Sequence, residues 1–220
     1  MFDFTAFLSY FTNVYLLGGV AVTIGLTVST LIIGLALALP IALGRMGSNR
    51  TVRALANGYV WIFRGTPLLV QLVIIYTGLP QLGLRFGVLT CALLALSLNE
   101  AAYLSETIRA GFNGVPSGQI EAAKALGLSR LKTLWLVTLP QVVRLIIPPL
   151  GNSVNGLLKA TSLASVISVE ELMRRSQVLM QVNFEALELY SVAAIYYLAL
   201  TTLWNLIQAP LEKRFDRGYA

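Results

Sequence analysis

Histidine is absent from this chain of 220 residues, and cysteine occurs once. Without His, no side chain has an unperturbed pKa near neutrality, so His-based acid–base catalysis and His metal sites are excluded. Cys91 alone forms neither an intrachain disulfide nor a multi-Cys metal site, and its place in an apolar run points to a buried, inert thiol. Charge is scarce too: Asp, Glu, Lys and Arg make up 12% of the chain, against about 25% in soluble domains. From Phe4 to Gly44 there is none, a stretch longer than the ~20 residues that cross a bilayer. No G-x-x-x-x-G-K-[ST] sequence occurs, so any ATP this protein works with is bound by another chain. A basic n-region and a small-residue cleavage site before the first apolar run are also missing, so that run is expected to stay in place as an anchor.

What is present is apolar. Hydrophobic residues make up 56% of the chain, and the mean hydropathy is +0.74. These values imply an all-α polytopic membrane protein. Apolar runs predict five helices, over about 15–44, 58–80, 86–106, 148–168 and 188–210. Charged residues inside the third and fourth weaken the hydropathy signal there. No strong internal repeat is visible, and an odd number of spans disfavours duplication into two equal inverted halves.

The basic residues set the orientation. Arg45, Arg50 and Arg53 follow the first span. Arg109, Lys124, Arg130, Lys132 and Arg144 lie between the third and fourth, and Lys213, Arg214 and Arg217 form the tail. The opposite side has Arg85, Arg174 and Arg175, and the short N-terminus has Asp3 but no cation. The N-terminus is therefore expected outside and the C-terminus in the cytoplasm. The net charge of +6 marks the inner face of a membrane and not a nucleic-acid site.

The stretch 121–140 is the most informative. It reads Glu121-Ala122-Ala123-Lys124-Ala125-Leu126-Gly127, then Leu128 to Thr138, then Leu139-Pro140. Pro116 and Ser117 suit a helix start, and Gln119 to Leu126 favours a helix with Glu121 in an early turn. Gly127 suits a left-handed stop, Ser129 can cap a second helix, and Pro140 is expected to separate that helix from the next segment. This predicts two short helices with a sharp turn against the inner membrane face. Leu126, Leu128, Leu131, Leu134 and Trp135 would share their apolar surface between the bundle and a partner. By physics alone an ordinary amphipathic interfacial helix pair fits as well.

The Glu-Ala-Ala, Gly and Leu-Pro spacing resembles the EAA loop of ABC importer permeases. Three further stretches resemble the polar amino acid subfamily of those permeases. They are Phe63-Arg64-Gly65-Thr66-Pro67-Leu68-Leu69-Val70-Gln71, Leu98-Asn99-Glu100-Ala101-Ala102-Tyr103-Leu104-Ser105-Glu106-Thr107-Ile108-Arg109-Ala110-Gly111, and Leu158-Lys159-Ala160-Thr161-Ser162-Leu163-Ala164. The likeness covers most of residues 15–210. One departure is Ala160, where many relatives have an acidic or amide residue; if that position helps read substrate charge, this copy reads it differently or leaves it to a partner subunit.

The resemblance implies a type I ABC importer permease fold, with one transmembrane domain over 1–220 and a cytoplasmic coupling loop over about 109–142. It implies multi-pass residence in the bacterial cytoplasmic (inner) membrane and import of polar amino acids or analogues. The partners it implies are ABC ATPase subunits, a second permease subunit (identical or a paralogue), and an extracytoplasmic substrate-binding protein. No cofactor is expected in this chain, since ATP and Mg would sit on the ATPase. Glu121, Ala122, Ala123, Gly127 and Leu128 would form the ATPase-coupling handle. A gradient-driven secondary transporter or channel is the alternative, equally consistent with intramembrane charges, and the Glu-Ala-Ala loop argues against it. A membrane enzyme has no nucleophile or metal cluster to recommend it, though single carboxylates such as Glu100 and Glu106 leave it open.

Candidate path residues come from polar groups inside the apolar runs, where ionisable side chains face protein or water. Arg64, about six residues into span two, and Glu100, six residues before Glu106, have matched depths and are expected to pair, either structurally or on the path. Pro67 removes a backbone bond near Phe63, so Thr66 and freed carbonyls would line a kink. Asn99 and Tyr103 belong to the same candidate path. Asn152, Asn155, Lys159 and Ser162 recur on one helical face, with Thr161 beside them. Counted from Pro148, Lys159 lies ~16 Å into a ~30 Å core. It would line a water-filled path and meet a carboxylate there, or else bond carbonyls or a neighbouring subunit. Gly18, Gly19, Gly25 and Gly34 suit close helix packing, and Trp61, Tyr190 and Trp204 suit the membrane interfaces. Glu170, Glu171, Arg174, Arg175 and Glu185 are expected on a solvated outer helix.

Overall fold

The computed structural model describes residues 2–216. Its elements over that range are all helical. The Asp3 carboxylate caps α1 (Phe4–Tyr10), accepting from the Thr5 and Ala6 amides at 2.8 and 3.0 Å. Asn13 caps α2 (Val14–Met46) and Asn49 caps α3 (Arg50–Gly65) in the same way. Short polar side chains at these positions satisfy the amides that a helix start leaves without partners.

Among the described residues four helices are long and apolar enough to cross a membrane. They are α2, α5 (Val88–Asn113), a rod running from Arg130 to Ile167, and α10 (Ala186–Asp216). A fifth candidate is α3 together with the segment Leu68–Leu82, bent by 104° at the break between them. That segment comprises α4 (Leu68–Val73), a π-turn (Ile74–Gly78) and a 3₁₀ turn (Leu79–Leu82). The single helix expected over about 58–80 is thus two pieces. Pro67 offers no N–H, and Thr66 before it is forced into extended backbone, φ −118° and ψ 146°.

A second correction concerns Pro140, which does not separate two segments. The rod joins α7 (Arg130–Thr133), a π-turn (Leu134–Thr138), α8 (Leu139–Ala160) and a 3₁₀ turn (Thr161–Ile167). The wider π-turn just before Pro140 makes room for its ring. The Gln141 side-chain amide also donates to the Val137 carbonyl at 2.9 Å. The span therefore begins at Arg130 and not near 148, so the distance from Pro148 to Lys159 no longer measures depth.

Between α5 and the rod stands α6 (Ser117–Ala125). Between the rod and α10 stands α9 (Leu172–Asn183).

The bundle is centred on α2 and α5, which run side by side. Leu26, Cys91, Ala92, Ala95, Leu96 and Ala164 pack at one level. Ala38, Ala42, Leu104 and Ile108 pack at another. Small side chains let the backbones approach. A Cβ at Gly34 would come within 3.3 Å of Glu100 Cγ, and one at Gly19 within 2.9 Å of Leu172 Cα. Gly25 does not follow this rule: nothing lies within 4 Å, and it opens on a cavity of about 270 Å³ beside Val22, Ser29 and Leu89. Cys91 is buried, as its setting implied.

The charged stretch before α10 is not a solvated helix. Of its five charged residues only Glu170 is exposed. Glu171 is fully buried and caps α9, accepting from the Met173 and Arg174 amides at 3.0 and 2.8 Å and from the Tyr197 hydroxyl at 2.7 Å. Arg175 lies over the Tyr15 ring, 4.7 Å from its centre, and donates to the Tyr15 carbonyl at 2.7 Å. Glu185 accepts from the Tyr10 hydroxyl. These groups tie the ends of α1, α2, α9 and α10 together.

Candidate functional site

The expected handle residues fall on α6 and the turn that follows it. Gly127 ends the helix at φ +79°, the left-handed conformation that favours glycine. Its amide donates to the Lys124 carbonyl at 2.9 Å, and the Leu128 amide donates to the Ala123 carbonyl at 3.1 Å. Ser129 Oγ then accepts from the Lys132 amide at the start of the rod. Ala123 is buried against the bundle, whereas Glu121 and Ala122 face outwards and Leu128 is half-buried. Leu126, Leu131 and Trp135 are 82%, 65% and 64% exposed. A Cβ at Gly127 would meet nothing within 4 Å, so the glycine answers to backbone conformation and not to crowding inside the chain.

A polar knot holds the break after α3. The Phe63 carbonyl, freed by Pro67, accepts from Gln71 Nε2 at 2.9 Å and from Asn99 Nδ2 at 3.0 Å. Gln71 Nε2 also donates to Thr66 Oγ1 at 2.8 Å, and Gln71 Oε1 accepts from Asn99 at 3.1 Å. Thr66 donates in turn to the Ile62 carbonyl at 2.8 Å. The kink expected from Pro67 is therefore present, and Thr66 and Asn99 meet there. Gln71 belongs to the motif over 63–71, and its position four residues after Pro67 is the signal for this role.

Arg64 does not pair with Glu100. Its Nη1 lies 3.0 Å from Glu106 Oε1, and its guanidinium stands 5.2 Å from the centre of the Tyr103 ring. Glu100 is buried one and two-thirds turns earlier on α5, on another face, where its carboxyl meets the Ser153 hydroxyl of α8. Matched depth was the basis for the expected pair, but six residues on a helix also turn the side chain by about 240°. Glu106 gathers two more arginines that the sequence reading did not connect. Arg45 Nη2 lies 2.9 Å from Oε1, and Arg109 Nη2 and Nε lie 2.8 and 2.9 Å from Oε2. The Glu106–Arg109 spacing of three was a legible signal; Arg45 required the packing of α2 on α5. Two open cavities flank this cluster and share Arg64 and Glu106. One, of about 490 Å³, also has Arg45, Asn57, Trp61 and Tyr103 in its wall. The other, of about 580 Å³, reaches Arg109, Gly114 and Pro149.

The polar residues of the rod divide. Asn152 and Lys159 are exposed. Asn155 donates to Asn205 of α10 at 2.6 Å, and Ser162 to the Lys159 carbonyl at 2.6 Å. Thr161 is fully buried and donates to the Leu158 carbonyl at 3.0 Å. The Trp204 indole donates to the Gly151 carbonyl at 2.8 Å and fixes α10 on the rod, while Trp61 is exposed and Tyr190 half-buried.

The pattern of the binding-protein-dependent transport system inner membrane components matches residues 30–217. The chain is 44% identical to the L-cystine transport system permease protein TcyB of Bacillus subtilis (strain 168), over 92% of this chain and 87% of that protein. It is 40% identical to the nopaline transport system permease protein NocM of Agrobacterium fabrum (strain C58 / ATCC 33970), over 84% and 81%. Its fold superposes on a chain of an amino acid ABC transporter crystallised with histidines, with a TM-score of 0.92, 34% identity, and coverage of 97% and 99%. With the bent span, the left-handed turn after Glu-Ala-Ala and these likenesses in place, the chain belongs to the family of binding-protein-dependent transport system inner membrane components, the ABC transporter permeases.

Proposed function

We propose that this chain is the membrane-spanning subunit of an ATP-driven importer of polar amino acids or their analogues. The observation that carries this reading is the surface of α6 and the turn after it. Helix α6 is mostly exposed and closed by Gly127, and Leu126 there, with Leu131 and Trp135 at the start of the rod, lies uncovered by the described residues. An apolar surface of that kind suits a partner's groove, here that of an ATPase subunit holding ATP and Mg. On this reading the single permease domain spans 1–220, with its N-terminus outside, its C-terminus in the cytoplasm and its coupling loop over about 109–142. It resides in the bacterial inner membrane beside a second permease copy or paralogue and receives substrate from an external binding protein. The path is lined from the break at Arg64 and Thr66, from Tyr103, and from the Asn152–Lys159 face of the rod. Asn99, Glu100, Asn155, Thr161 and Ser162 shape it from behind through the bonds already described. The chain itself does no covalent chemistry; ATP binding elsewhere shifts the population between inward- and outward-open states.

The test is ATPase activity of the purified complex in nanodiscs, with wild type compared with Gly127→Ala and Gly127→Arg. Both variants carry the left-handed strain of about 1–2 kcal/mol, but only arginine obstructs docking. Stimulation by substrate-loaded binding protein should fall about tenfold or more in Gly127→Arg and persist in Gly127→Ala. A chain that purifies without an ATPase, yet moves amino acids into liposomes on a gradient alone, would overturn the reading in favour of a secondary transporter.

A further inference from the structure

The Arg45–Arg64–Arg109 cluster is unbalanced. Among the described residues three guanidinium groups surround one carboxylate, and two positive charges are left over beside cavities of about 490 and 580 Å³. The three arginines are not equivalent. Arg109 sits on the same helix three residues from Glu106 and holds Oε2 through two nitrogens, at 2.8 and 2.9 Å. The Arg45 side chain is only 12% exposed and is fixed a second time by Asn57 Oδ1, 2.8 Å from its Nε. Arg64 is 42% exposed and makes a single 3.0 Å bond to Oε1, which Arg45 already serves. It borders both cavities and stands next to last in α3, directly before the break that turns the chain by 104°.

These facts set what happens when Arg64 leaves. Removing a partner from a buried ion pair is costly when it strands a charge. Here Glu106 would keep one bond on Oε1 and two on Oε2, so departure strands nothing on that side. The guanidinium itself, on the Tyr103 ring face and open to a cavity, needs an anion of planar, two-oxygen geometry to replace what it gives up.

We propose that Arg64 is the carboxylate-reading residue of the transport path. It exchanges Glu106 for the α-carboxylate of the transported amino acid, while Arg45 and Arg109 keep Glu106 satisfied. The proposal rests on the importer reading and adds to it a specificity determinant and a reason for the break: the exchanging side chain is mounted where α3 ends.

The test measures binding to the permease–ATPase complex in nanodiscs without binding protein, by titration calorimetry. The probes are L-cystine, L-arginine and L-glutamine, each beside its α-carboxamide. Wild type should bind the free acid of the best-bound pair about tenfold or more tightly than the amide, the size expected for one charge-assisted bond. Arg64→Gln should bind both members of that pair alike, with the amide's affinity unchanged. Arg64→Lys, which keeps the charge but not the planar fork and guards against misfolding of the Gln variant, should restore part of the preference. A purely structural Arg64 would weaken acid and amide together. An unchanged acid-to-amide ratio in Arg64→Gln, parallel loss of both ligands, or no acid preference in wild type would each overturn the proposal. ATP-dependent uptake by the wild-type complex with its binding protein is scored separately, so import without an Arg64 effect sinks this inference alone, and absence of import sinks both.

Discussion

Phe184 stands at φ 59°, 85% exposed, as the residue that closes α9. A bulky side chain there carries strain that glycine would not. Phe184→Gly should therefore raise stability by about 1 kcal/mol, read as a higher melting temperature of the purified protein; a lower one would mean that the ring serves a contact. Thirteen residues earlier, Glu171 is fully buried. Burial pushes its carboxyl above the usual range, against hydrogen bonds from the Met173 amide, the Tyr197 hydroxyl, the Arg174 amide and Thr23. The folded chain then keeps a proton that the unfolded chain has lost, so this group's contribution is greatest below the unfolded carboxyl pKa of about 4.3 and declines as pH rises through the folded value. Melting curves of wild type should fall relative to Glu171→Gln as pH rises above the unfolded carboxyl pKa of about 4.3. Parallel curves would show that Glu171 does not titrate there.

At the scale of elements, the break after α3 depends on Gln71. Its amide serves the Phe63 carbonyl, the Thr66 hydroxyl and Asn99 together. Gln71→Leu preserves size but removes these bonds, at a cost of about 1–3 kcal/mol for the buried groups left short. Uptake should drop by more than protein yield, because the knot sets the aim of Arg64; yield falling in step with uptake would make the knot a folding device only. The long spans were legible because an uncharged apolar run has few alternatives to a membrane helix. The cap at Ser129 and the stop at Gly127 were legible because each residue type has a local reason to be there. Three readings failed for a common reason. The Arg64–Glu100 pair and the solvated outer helix follow packing between helices, and the continuity through Pro140 follows a π-turn, none of which spacing along the chain displays. Glu106 lies six residues from the expected partner, and only the register of α2 on α5 brings Arg45 to it. Glu171 and Arg175 look like surface charges until α1, α2 and α10 close over them.

The whole molecule is tied at one end and open at the other. At the end expected outside, Asp3 donates its amide to Glu188 at 2.7 Å, Asn183 donates to the Tyr10 hydroxyl at 2.7 Å, and Arg175 reaches Tyr15. At the end expected inside, α6 and the start of the rod project with apolar side chains uncovered. A chain clamped at one end and uncovered at the other, among the described residues, is suited to receive force at the open end and pivot about the tied one.

The 38-residue rod gives that arrangement a phase as well as a length. At 1.5 Å per residue it measures ~57 Å, and at 100° per residue the azimuth of every side chain on it follows from the azimuth of Ser129. The π-turn at Leu134–Thr138 amounts to one extra residue wound into the helix, so it offsets everything beyond it by about 100°. Leu131 and Trp135 at one end and Asn152 to Lys159 further along are thus keyed like teeth on a common shaft. The bulge beside Pro140 is the spline that sets which way the polar teeth point.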